Sequence, residues 1–340
     1  FRILWRSRSR WGLTVAAYLV VGSALAQAPT ITGLAPTRNE RAAPVGSGVA
    51  VTFSQPMSGA SASAASVKVF SHQRGGRMSG AQGGAASVSG NTISFNPATD
   101  FRPGETVFVS TTAAQGSGGA NLAAGHVHQF TTATGGTGVG NFQRPSGTSV
   151  FVTNPAGTPQ CIAVGDVDSD GDLDFVAADG GAFTATVQLN DGAGGFTPHP
   201  TTPNPGTFVN PRFLALGDVD ADGDLDVVST NQGTGGLTTI LFNDGFGGFD
   251  GPTATTGGRR TGVALADVDG DGDLDLLTSA GTGPGTGAVY VQRNDGTGTF
   301  AAGSQAVPVG DTPEAVTTAD INGDGAPDLV AANTLGNSLS

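Results

Sequence analysis

The chain has 340 residues, 37% of them hydrophobic, with 15 basic against 28 acidic side chains and a net charge of −13. Residues 1–140 hold ten Arg and Lys against three acids, whereas residues 141–340 hold five against 25, so the acidity belongs to the C-terminal part. That part would repel phosphate and carries no basic stripe, which excludes nucleic acid as a partner. The single cysteine, Cys161, excludes an internal disulfide.

Residues 1–28, "FRILWRSRSRWGLTVAAYLVVGSALAQA", run from four arginines through an apolar stretch, Leu13 to Leu25, into small residues. This is the pattern of a secretory signal peptide, with cleavage expected after Ala26 or Ala28. The apolar stretch is shorter than the ~20 residues of a spanning helix, and no other segment qualifies as one. The mature product is therefore expected to have no transmembrane span and to be secreted or held at a bacterial cell surface.

Residues 29–134 alternate short strand-like stretches with turns: "TITGL", "GVAVTFS", "SVKVF", "ASVSGNTISF", "ETVFVSTT" and "HVHQFTT". About 100 residues of this kind predict a β-sandwich. The phrases "VTFSQPM", "ISFNPATDFRPGETVFVS" and "HQFTT" resemble the bacterial Ig-like domain of secreted and surface-layer proteins. "HQRGGRMSGAQGGA" from His72 reads as a loop of that sandwich. His126 and His128 share one face of a strand, a spacing that serves zinc elsewhere, but no further ligand accompanies them and they read as structural. Residues 135–141 are a glycine-rich linker.

From residue 142 onward the chain repeats. "GDVDSDGDLD", "GDVDADGDLD", "ADVDGDGDLD" and "ADINGDGAPD" begin their acidic runs at Asp166, Asp218, Asp267 and Asp320, in steps of 52, 49 and 53 residues. A second signature keeps the same phase: "NDGAGGF", "NDGFGGF" and "NDGTGTF" end at Phe196, Phe249 and Phe300, with a degenerate copy at Phe142. Clustered carboxylates repel unless a cation joins them. Calcium, which takes six to eight oxygens in flexible geometry, suits loop carboxylates with a glycine at the turn.

The expected ligands are Asp166, Asp168, Asp170, Asp172 (through its carbonyl) and Asp174 in the first loop, and Asp218, Asp220, Asp222, Asp224 and Asp226 in the second. Asp267, Asp269, Asp271, Asp273 and Asp275 form the third set, and Asp320, Asn322, Asp324, Ala326 (through its carbonyl) and Asp328 the fourth. Short apolar runs flank each loop, so it is expected at a β-hairpin tip rather than in a helix-loop-helix calcium site. Val167, Val219, Val268 and Ile321, with Leu173, Leu225 and Leu274, are expected to turn inward. Four strands in about 50 residues make one propeller blade.

The phased DxDxDGDxD and NDGxGxF motifs resemble the FG-GAP, or VCBS, repeat of integrin α-subunit propellers and secreted bacterial proteins. The resemblance covers about residues 137–340 and implies a calcium ion in each blade's loop. The fourth copy departs from the pattern, because Asn322, Ala326 and Pro327 replace motif residues. The expected fold is all-β: an Ig-like sandwich followed by an incomplete propeller over residues 142–340, with three complete repeats and a fourth that breaks off. The chain thus reads as a piece of a longer protein.

No nucleophile, paired carboxylate or open zinc arrangement stands out, so no enzyme is expected. The function expected is a calcium-binding adhesion or interaction module whose partner is an extracellular protein or a surface glycan. A lectin-like propeller, or an accessory domain of a larger secreted enzyme, is the alternative. Tyr290 is the one Tyr or Trp outside the signal peptide, which leaves little for a sugar platform.

Overall fold

The computed structural model describes residues 27–63, 65–71, 76–78, 84–134, 158–180, 184–200, 210–231, 237–255, 260–281, 283–301, 303–322, 324 and 326–340. The first 26 residues of the expected signal peptide, the linker and the Phe142 copy of the second signature lie outside them. Among the described residues there is one 3-10 turn, Gly59–Ser61, and no α-helix. No helix there is long and apolar enough to cross a membrane.

Among the described residues, the first unit is a sandwich of nine strands: β1 (Ile31–Ala35), β2 (Arg41–Ala43), β3 (Val49–Phe53), β4 (Val67–Ser71), β5 (Gly76–Arg77), β6 (Gly84–Ser89), β7 (Thr92–Pro97), β8 (Thr106–Thr111) and β9 (His126–Thr132). One sheet has the order β1-β3-β7-β6 and the other β2-β9-β8-β4-β5. Strict alternation along β3 turns Val49, Val51 and Phe53 inward, and register sets Val49 opposite Phe95 and Val51 opposite Ile93. Val67, Val69, Val107, Val109 and Phe130 close the core from the other sheet. Phe101 meets Phe130 edge-on at 5.5 Å. β4 is buried at all five positions, so its outer residues, Lys68 and Phe70, are covered as well. Their cover comes from the repeats.

Among the described residues, the second unit is four sheets in series. The first holds β10 (Pro159–Gly165), β11 (Asp174–Asp179), β12 (Thr184–Asn190) and β13 (Phe196–Pro198); the second β14 (Pro211–Gly217), β15 (Asp226–Asn231), β16 (Thr238–Asn243) and β17 (Phe249–Thr255). The third holds β18 (Val263–Ala266), β19 (Asp275–Ala280), β20 (Ala288–Gln292) and β21 (Gln305–Pro308); the fourth β22 (Pro313–Ala319), β23 (Asp328–Asn333) and β24 (Ser338–Leu339). Each is an antiparallel meander, and the first strands β10, β14, β18 and β22 lie side by side down the series. This is propeller geometry, without a closed ring among the described residues.

Apolar clusters bind neighbouring sheets. Val167, Val176 and Val187 of the first meet Leu214, Leu216 and Leu241 of the second, and Val219, Val228 and Ile240 meet Leu265 and Leu276 of the third. Val167 and Val219 are each 1% exposed and Leu225 is fully buried, as the repeat pattern predicts. Ile321, expected inward at the same position, is instead 65% exposed. Its predecessors are covered by the following sheet, and no following sheet stands against Ile321 among the described residues.

Candidate metal centre

Each acidic loop is the tip of the hairpin joining the first two strands of its sheet, at β10–β11, β14–β15, β18–β19 and β22–β23. The glycine at the sixth loop position takes a left-handed backbone, with φ of 103° at Gly171, 109° at Gly223 and 89° at Gly272. That turn aims its N–H back at the first aspartate. Gly171 N donates to Asp166 Oδ2 at 3.1 Å, Gly223 N to Asp218 Oδ2 at 3.2 Å and Gly272 N to Asp267 Oδ2 at 2.9 Å.

Three loops bring carboxylate oxygens into mutual reach. Asp166, Asp168 and Asp174, then Asp218, Asp220 and Asp226, then Asp267, Asp269 and Asp271 each offer one oxygen within 4.8 Å of the other two. Asp166 Oδ1 is buried and lacks a hydrogen-bond partner, the condition of an oxygen that a cation would complete. The donor set is all hard oxygen, which fits calcium and not a thiolate- or imidazole-seeking metal. The other sequence candidates surround these triads. Asp170 is exposed and accepts from Asp172 N at 2.8 Å, and Asp222 accepts from Asp224 N at 3.0 Å. Asp273 holds an ion pair with Lys68, and Asp275 is fully buried.

Loop 4 differs. Asn322 Nδ2 donates to Asp324 Oδ2 at 3.0 Å and to Asp328 Oδ1 at 3.2 Å, so an amide already bridges two of the expected ligands. Asp320 Oδ1 accepts from Asp324 N at 3.1 Å, and Ala326 N donates to Asp324 Oδ1 at 2.9 Å.

Burial governs the electrostatics. Loss of hydration pushes the carboxyl of Asp226 up to about 8, that of Asp275 to about 7 and that of Asp267 to about 6. Asp166 is raised for the same reason, with the Arg102 guanidinium opposing the rise. Asp226, the most strongly raised of them, therefore resists ionising at neutral pH until a positive charge stands beside it.

The ninth-position aspartate also has a structural task. Asp174 accepts from Val167 N at 2.9 Å and Asn190 N at 2.8 Å, one bond to each oxygen. Asp226 does the same with Val219 N and Asn243 N, and Asp275 with Val268 N and Asn294 N. The asparagine of each "NDG" returns the contact, because Nδ2 of Asn190, Asn243 and Asn294 donates to the carbonyls of Leu173, Leu225 and Leu274. The sequence alone assigns these asparagines no role beyond membership of the second signature. The signal that could have found them is the fixed phase between the two signatures.

The two histidines are engaged with the Arg38 side chain and the sandwich interior. His126 Nε2 lies 2.7 Å from the Arg38 guanidinium, and His128 is 1% exposed with its pKa pulled down to about 3 by burial, then by His126 and Arg38. Among the described residues no third ligand joins them. At Tyr290, the Arg260 guanidinium lies 3.8 Å from the ring centroid and covers a face that a sugar would need.

Two family models agree with this architecture. The family described as bacterial Ig-like domain matches residues 26–132, and the FG-GAP-like repeat matches residues 166–229, 218–278 and 279–331. No curated protein matches the chain. Among solved structures, an Agrocybe aegerita lectin described as recognising non-reducing terminal N-acetylglucosamine is 21% identical, over 52% of this chain and 49% of that one, with a TM-score of 0.37. The N-terminal part of the bacterial S-layer protein SbsC is 13% identical over 68% of this chain and 44% of that one, with a TM-score of 0.25. The chain thus spans about half the length of the lectin and less than half of the surface-layer fragment.

Proposed function

This chain belongs to the proteins that join a bacterial Ig-like domain to FG-GAP-like repeats, and from that premise we propose that it is a secreted or surface-held, calcium-binding interaction module without catalytic activity. The observation that carries the reading is the convergence of three aspartate triads at equivalent hairpin tips, each with its oxygens within 4.8 Å.

Calcium would supply positive charge that lets the clustered carboxylates ionise together. The chain's own residues do the rest. Gly171, Gly223 and Gly272 turn each loop so that its first aspartate faces inward, and the ninth-position aspartate ties the loop to the third strand. A rigid hairpin tip then stiffens its sheet. The loop of Asn322 is the weakest binder, since it has three carboxylates and one of its bridges is already an amide.

The partner is an extracellular protein or a surface glycan, met by the repeat surface with the Ig-like domain beside it. The covered face of Tyr290 speaks against stacking of a sugar there. Mass analysis for bound calcium, with thermal melting in calcium and in excess chelator, tests the reading. Calcium retained at about one ion per loop and a melting point lowered by chelator are expected. Absence of calcium with unchanged melting overturns it.

A further inference from the structure

We propose that the loop end of the repeats is a shared surface, held either by the cations of the Ig-like domain or by calcium, so that ion binding releases the domain. The inference rests on the calcium reading above and adds a coupling to it.

Three Ig-domain cations, from three separate segments, each reach a different loop. Arg102, between β7 and β8, sets Nη2 3.2 Å from Asp166 Oδ2 and also donates to the Gly171 carbonyl. Lys68 on β4 donates from Nζ to the Asp271 carbonyl and to Asp273 Oδ1, both at 2.9 Å. Arg38, between β1 and β2, sets Nε 3.3 Å from Asp320 Oδ2, while Asn39 Nδ2 donates to the Asp320 carbonyl at 3.1 Å. Ser110 on β8 adds a bond to Asp267 Oδ2 at 2.6 Å.

These are not casual surface pairs. The Lys68, Arg102 and Arg38 side chains are 10%, 16% and 24% exposed, and long cations are seldom so buried unless paired. The composition of the Ig-like unit has the same sense, with Arg38, Arg41, Lys68, Arg74, Arg77 and Arg102 against Glu40, Asp100 and Glu105.

Two of the contacted oxygens belong to first-position aspartates, Asp166 and Asp320, and the third contact straddles positions five and seven of its loop. A divalent ion drawing on the same loops would stand a few ångströms from a guanidinium or ammonium with little water between. Like charges at that range repel strongly. Calcium must therefore displace the cation or bind more weakly beside it. By linkage, whatever docking subtracts from calcium affinity, calcium subtracts from docking. A mostly apolar cavity, lined by Phe70 and His128 of the sandwich and by Leu265 and Pro327 of the repeats, lies between the two units beside these contacts.

Gly125 offers a test that touches no charge. Its backbone lies against that of Gly270 in loop 3, and a Cβ built there would stand 2.0 Å from the Gly270 carbonyl oxygen. Gly125→Ala is a wedge between the units that leaves every loop aspartate intact. Lys68→Gln with Arg102→Gln removes two of the three cations.

The experiment is a calcium titration of the full chain and both variants by calorimetry, with small-angle scattering of each at zero and saturating calcium. Calcium should enlarge the radius of gyration of the wild type. Both variants should start enlarged and bind calcium about tenfold more tightly at the affected loops. Calcium uptake with unchanged scattering, and equal affinity in all three proteins, overturns the coupling while leaving the calcium reading intact. No calcium uptake by any of them overturns both.

Discussion

Asn243 of the second sheet donates from Nδ2 to the Val167 carbonyl of the first sheet at 2.8 Å, and the same amide reaches the Leu225 carbonyl of its own loop at 3.0 Å. Asn294 repeats the arrangement one blade on, with Val219 at 2.6 Å and Leu274 at 3.0 Å. Two carbonyls on neighbouring loops are thus satisfied by one buried side chain. Replacing it by alanine leaves both without a donor, and a buried orphan costs about 1–3 kcal/mol. Asn243→Ala and Asn294→Ala should lower the denaturation midpoint of the repeats by that order. Asn190→Ala, whose side chain is half-buried and holds Leu173 alone among these carbonyls, should cost less. Urea denaturation followed by fluorescence or circular dichroism checks the ranking.

The raised carboxyls set a pH dependence. Asp226 and Asp275 move from an ordinary 3.8 to about 8 and about 7 in the folded chain, so between about pH 4 and 8 the folded state holds protons that the unfolded state has released. The folded state binds more protons, and stability therefore falls as pH rises through that window when calcium is chelated. Calcium reverses the trend by taking the place of those protons. Its affinity should rise from about pH 5 to about pH 8 and level off above, with proton release at the lower pH. Calorimetric titrations in two buffers of different ionisation enthalpy measure both quantities. Constant affinity with no proton release would contradict the assignment.

Asp170 and Asp174 separate holding an ion from holding the fold. Asp174 is fully buried, and both its oxygens accept backbone N–H groups, from Val167 and Asn190. Asp170 is exposed and accepts only from Asp172 N within its own loop among the bonds seen. In excess chelator, Asp174→Ala should cost about 2 kcal/mol or more, since two N–H groups lose their acceptor. Asp170→Ala should cost less than about 0.5 kcal/mol under the same conditions. In calcium both should lose the stabilisation that ion binding adds to the first loop. Melting curves in chelator and in calcium resolve the four cases.

The aspartate loops, their hairpin setting and the division into sandwich and blades were legible because each is written locally and then repeated. Asp166, Asp218 and Asp267 stand at equal phase, and repetition turns a weak acidic turn into a strong pattern. The contacts of Lys68 and Arg102 were not legible. They join residues 203 or more and 64 or more positions apart, and nothing local to "SVKVF" or "DFRPG" marks a lysine or arginine that will face a loop aspartate. Ile321 shows a different limit. Its residue type and loop position match Val167, but its burial would have to come from a neighbouring sheet, which is a property of the assembly.

The same dependence on neighbours gives a final comparison. Val164, Leu216 and Leu265 each stand two residues before the first aspartate of their loop, on the first strand of successive sheets. Leu216 is 4% exposed against Val167 and Val176 of the preceding sheet, and Leu265 is 7% exposed against Val219 and Val228. Val164 is 49% exposed, because no preceding sheet covers it among the described residues. Truncating the buried members removes contacts on both sides of an interface and leaves a cavity between sheets, which costs about 2–5 kcal/mol for leucine. Val164→Ala removes little buried area and should cost less than about 1 kcal/mol. Because each blade is stabilised through its neighbours, Leu216→Ala should also broaden the unfolding transition by weakening the link between the first two blades. Equilibrium denaturation of the three variants reads out both midpoint and width. A loss at Val164 equal to that at Leu216 would mean that another sheet covers this face in solution.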